Sequence, residues 1–237
     1  MPNTGRLHWD YRDGRAAALA AAIAYSFWVL EIALPGGAAA QGALAAPGST
    51  LEAVLESAHR TAAILVLVAA VLGLTLGAHG HGRALTVSWV AMAVFGLASL
   101  ATTLFTGPCV VSTDVSCVSE ALAEGMAGAS LTQALVAVVA VLAALVAVVA
   151  LAVDRWISGD HARGFVVAVA VLQVAAAKIV LVAASVVFTA SGDGTPGVAL
   201  GVLERAHLVT VALWLVTAGV LPGPWKRTAG HTHTAAR

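Results

Sequence analysis

The chain has 237 residues, of which 60% are hydrophobic and 10% charged, with a formal net charge of +0 at pH 7 and a mean hydropathy of +0.93. A soluble domain carries about 25% charged residues, and no soluble core of this length hides so much apolar surface. The composition therefore specifies an integral membrane protein, with the lipid bilayer as its surroundings. Without net positive charge or a basic stripe interleaved with aromatics, a nucleic-acid partner is excluded.

Residues 1–14 read as a polar cytoplasmic tail. Six apolar segments follow, near 15–34, 57–78, 84–105, 130–153, 164–190 and 199–221, each matching the ~20 residues that a spanning helix requires. Backbone polar groups must be satisfied within lipid, so the segments are helices. None shows the alternation of a membrane β-strand. The expected fold is all-α: a polytopic helical bundle of about six transmembrane helices, with a six-span membrane domain over 15–221. Residues 222–237 read as a cytoplasmic C-terminal tail. Abundant Ala and Gly allow close helix approach.

The first span carries Glu31 and ends at Leu34-Pro35. Small residues after it suit signal cleavage, but the run is long and holds a carboxylate, so it reads as a retained span. Arg6, Arg12 and Arg15 precede or open it. Arg83 lies between spans two and three, Arg155 and Arg163 between four and five, and Lys226, Arg227 and Arg237 after the last. The intervening loops hold Asp and Glu but no Lys or Arg. The positive-inside rule then puts both termini in the cytoplasm of a multi-pass protein of the plasma membrane.

The second span opens on Leu55-Glu56-Ser57-Ala58-His59-Arg60, and the sixth on Leu203-Glu204-Arg205-Ala206-His207-Leu208. Both read Leu-Glu-x-x-His at an outer helix mouth. Glu and His three apart share a helix face, and ionisable groups entering hydrocarbon are candidate functional residues. Spans one and two thus resemble spans five and six, as an internal repeat with a site at the repeat interface would require. His59 and His207 are candidate metal or haem-iron ligands. Glu56 and Glu204 suit a proton relay or a partner to the ligands; the bland alternative is stabilisation at a helix start. Arg60 and Arg205 can pair with carboxylates or reach lipid headgroups.

The outer loop after span three holds Cys109 and Cys117. An oxidising outer face permits a disulfide between them, serving as a loop staple or as a redox pair. Span five carries Gln173 and, near its middle, Lys178. A mid-membrane lysine costs about 2.5–3.5 kcal/mol on insertion scales and is expected to face the bundle interior or a wet cavity. Glu31, Gln173 and Lys178 together suggest an intramembrane polar track.

Glu56-x-x-His59-Arg60 at the head of span two resembles the haem A synthase family. The resemblance covers spans one to two and five to six. It implies a duplicated helical bundle and haem b as cofactor. It further implies His59 and His207 as axial ligands, with Arg60 and Arg205 near the propionates and Glu204 beside His207. Glu56 would assist proton transfer, in an oxidoreductase converting the methyl group of haem O to the formyl group of haem A. Two other readings stay open from the residues alone. One is a small proton-coupled transporter using Lys178, Glu31 and Gln173. The other is a cofactor-free membrane assembly subunit. A homo-oligomer or other membrane-protein partners are compatible with all three.

Overall fold

The computed structural model describes residues 10–30, 50–77, 82–103, 129–191, 198–221 and 223–225. Six helices account for nearly all of them: α1 (Tyr11–Leu30), α2 (Thr50–Leu72), α3 (Arg83–Thr102), α4 (Ala129–Ile157), α5 (Arg163–Ser191) and α6 (Val198–Val220). No strand occurs among the described residues. The protein is an all-helical bundle, and five of its helices are long and apolar enough to cross a membrane. The fifth of these spans, in α6, is the most enclosed, with 67% of its window buried. Glu31, Cys109 and Cys117 lie outside the described residues.

Each helix packs on its neighbours in the chain, and α6 closes the circuit against α1. The neighbours are antiparallel. Arg15, in the first turns of α1, donates from Nε to the carbonyl of Gly219 near the end of α6, at 2.8 Å. The Ser88 hydroxyl, early in α3, donates to the Ala147 carbonyl in the later part of α4, also at 2.8 Å. Interhelical side-chain to backbone bonds of this kind hold helices together where lipid removes the usual hydrophobic drive.

Small residues bring the helices close. Ala17, Ala18, Ala21 and Ala22 form the buried stripe of α1, and Ala140, Ala144 and Ala147 that of α4. At Gly219 a Cβ would stand 3.0 Å from the Arg15 carbonyl oxygen and 2.8 Å from Leu19 Cγ, so only glycine permits this α1–α6 approach.

The described arginines of the predicted cytoplasmic side gather at one end, here called the basic end. There α2 finishes in a π-helical turn, Gly73–Gly77, and α6 is followed by the 3-10 turn Gly223–Trp225. This turn lies in the stretch expected to be the cytoplasmic tail, and it packs back on the bundle. Trp225 is 1% exposed, lies on Gly14 of α1, and meets the Trp89 ring with centroids 4.5 Å apart. Its Nε1 donates to the Ala218 carbonyl at 2.8 Å. Beside it, Arg155 is buried and paired with Asp154, and reaches Asp160 at 3.1 Å.

Candidate functional site

His59 is the tenth residue of α2 and His207 the tenth residue of α6. At 1.5 Å per residue both lie about 13 Å in from the helix starts, which are at the end opposite the basic end. Both side chains turn inward, with 1% and 2% exposure. The two motif histidines therefore stand equally far from the described starts of two helices that both pack against α1.

The environment on the His59 side is aromatic and comes from α1, α3 and α6. The His59 imidazole tilts on the Tyr25 ring, 6.2 Å between centroids, and also lies at the main chain of Ser99 on α3. Tyr25 meets Phe95 edge-on at 6.1 Å, and Phe95 meets Trp214 at 5.6 Å. Trp214 stands about two turns beyond His207 on the same face of α6. A continuous run of rings thus leads from His59 to the helix that carries His207. Edge-to-face geometry favours each step.

His207 differs from His59 in its partners. Neither ring nitrogen of His207 has a hydrogen-bond partner among the described residues. Its own carbonyl accepts from the Thr210 hydroxyl at 2.7 Å. An unsatisfied buried imidazole is costly.

The two glutamates part company. Glu204 is buried at 5% exposure, and its carboxylate accepts from buried Arg205 at 3.3 Å. Glu56 faces outward, about half exposed, and pairs with Arg60 at 2.6 Å. The expectation that Glu56 shares the His59 face therefore does not hold. A shift of three residues turns a side chain by about 60° around the helix, and α2 is buried over too narrow an arc to hold both. In the more enclosed α6, both fit.

The intramembrane polar residues also separate. Gln173 on α5 is fully buried, and neither its amide oxygen nor its nitrogen has a hydrogen-bond partner among the described residues. Lys178 points outward instead of inward, onto a cleft between α4 and α5. Gln173 and Lys178 therefore do not line one internal track.

Among the described residues no three His, Cys, Asp or Glu side chains come together to hold a metal ion. A bare zinc ion requires about four ligands. His59 and His207 alone do not make up such a set. The packing is tight, since both imidazoles are almost wholly covered.

Sequence reasoning found both histidines but not Tyr25, Phe95 or Trp214. The signal was scarcity: the chain has 2 Tyr and 5 Phe, so an aromatic inside an Ala/Val helix is informative. No protein-family model matches the chain, and neither a curated protein nor a solved structure matches it.

Proposed function

We propose that the protein is a multi-pass haem protein of the plasma membrane, with redox or haem-modifying activity resembling that of haem A synthase. His59 and His207 would hold the group, haem b, through their imidazoles. The observation that supports this most is the pair of buried imidazoles, each the tenth residue of its helix, in two copies of one motif. Bound there, haem would supply one-electron chemistry. Tyr25 and Phe95 fix the His59 side of the site and keep water from it. The buried Glu204–Arg205 pair provides a carboxylate beside His207 for proton transfer, and a guanidinium for a propionate. Glu56 and Arg60, paired on the outer face, act there at the surface. The test is haem stoichiometry of the detergent-purified protein by the pyridine haemochrome method. About one haem per chain supports the proposal, and none after expression with ample haem rejects it.

A second reading draws on the tight cover of both imidazoles. In it the protein is a cofactor-free membrane assembly subunit, and His59 ties α2 to α1 and α3 through Tyr25 and the Ser99 main chain. That reading expects a colourless protein whose His59→Ala variant loses only stability. Lys178 and Gln173 lie on different sides of α5, so a transporter reading draws nothing from a track formed by these two.

A further inference from the structure

We propose that the outward cleft between α4 and α5 receives a transmembrane helix of a partner protein that carries a carboxylate at the level of Lys178. The cleft holds about 610 Å³ and is apolar apart from Lys178.

Three features support a helix as the occupant. The first is the position of the charge. Lys178 stands about 22 Å from the Arg163 end of α5 and about 20 Å from the other end. It is exposed on the outer surface of the bundle and makes no ion pair or hydrogen bond with any described residue. An ammonium group in hydrocarbon costs about 2.5–3.5 kcal/mol, and such groups pair with opposite charge. An acid on a partner helix, at the same depth, removes that cost.

The second feature is the spacing. Val167, Val171, Val174 and Lys178 follow one another at intervals of four, three and four along α5, and Val149, Val153 and Trp156 at four and three along α4. Both stripes face the cleft. This alternation presents ridges that a third helix fills in the 3-4 packing class, at a small crossing angle. The third is the floor, where Ala152, Ala170 and Ala175 leave room for close backbone approach.

A second copy of this chain does not supply the acid from its described residues. Asp154 and Glu204 are buried and Glu56 is paired with Arg60. Asp10 and Asp13 stand at the start of α1, far from that level, so among the described residues none offers a free acid at the depth of Lys178, and the proposed occupant is a helix of a different chain. The inference is independent of the haem reading, since none of the cleft's lining residues is a member of the histidine site.

The experiment uses the full-length protein in phosphatidylcholine vesicles with labelled synthetic Leu/Ala transmembrane helices. One helix carries a single central Glu and the other Gln, and association is read by energy transfer. The Glu helix should bind at least tenfold more tightly than the Gln helix. The preference should vanish in Lys178→Met and persist in Lys178→Arg. Val171→Trp, which fills the cleft at an exposed position, should weaken both helices at unchanged ellipticity. Equal binding of the two helices to the unaltered protein would overturn the proposal, as would a preference that survives Lys178→Met. The proposal is also overturned if phosphatidylglycerol is retained in a Lys178-dependent way while the two helices bind alike, because the cleft is then a site for an anionic lipid.

Discussion

The His59 imidazole and the Tyr25 phenol ring meet across the α1–α2 interface at 6.2 Å between centroids and 43° between planes. This contact joins the first motif histidine to the run of rings that ends on the helix of the second. If the two histidines are axial ligands, the His59→Ala and His207→Ala proteins should each lose bound haem while keeping their helical ellipticity. Glu56→Gln should retain haem at the level of the unaltered protein, because Glu56 faces outward beside Arg60. Haem content per chain checks all three.

Trp225 should be a major contributor to stability at the basic end. Its indole packs on Trp89 and Gly14 and donates a hydrogen bond to Ala218. Removing a buried Trp side chain costs about 3–5 kcal/mol in well-packed cores. Trp225→Ala should lower the thermal midpoint markedly in a fixed detergent. Trp225→Phe, which keeps a ring but loses the Nε1 donor, should fall between the two. An unchanged midpoint in Trp225→Ala would remove the turn from the fold's support.

Closure of α6 on α1 depends on the absence of a side chain at Gly219. A Cβ there meets the Arg15 carbonyl at 3.0 Å, and backbone cannot yield as a side-chain tip can. Overpacking costs about 1–3 kcal/mol. Gly219→Val should therefore destabilise the bundle by about that much, with increased proteolysis near Arg15. Val216→Ala, at a partly exposed position of the same helix, should be close to neutral.

Asp160 gives the basic end a defined acid response. The Ala162 amide donates to its carboxylate at 2.9 Å. That bond, opposed by partial burial and assisted by Arg155, holds Asp160 below its ordinary value of 3.8. A carboxyl group whose folded value is depressed adds stability that is present above the unfolded value. The contribution is complete at neutral pH. It is lost as pH falls past 3.8 towards the depressed value. The protection of the Ala162 amide, taken relative to its intrinsic exchange rate, should fall over that window, and Asp160→Asn should remove this fall while leaving protection lower at neutral pH.

The six helices were legible because hydrocarbon allows few alternatives. Six apolar runs of spanning length gave six helices, and α5 and α6 begin and end within a residue or two of the expected bounds. The start of α1 was less clear. Its first turns hold Arg12, Asp13 and Arg15, yet the helix begins at Tyr11, where charged side chains can sit at a membrane edge. The candidate site was legible at His59 and His207, since the motif recurs and its helices have equal length. Rotation was not. Whether Glu56 or Lys178 faces in or out depends on which arc of a helix its neighbours cover, and a uniformly apolar helix carries little record of that. α3, α4 and α5 all expose large apolar side chains, Leu97, Leu142 and Val171 among them, as lipid contact permits. The burial of Trp225 was hidden for another reason. It comes from a short turn after the last span, where hydropathy has no periodic signal.

The measurement that most directly tests the central claim is the absorption spectrum of the detergent-purified protein, first oxidised and then reduced with dithionite. Two axial imidazoles predict a Soret band that shifts on reduction, with sharp α and β bands, all absent from the His59→Ala protein. A protein that is colourless in both states after expression with ample haem, or a spectrum unchanged by His59→Ala, would contradict the assignment.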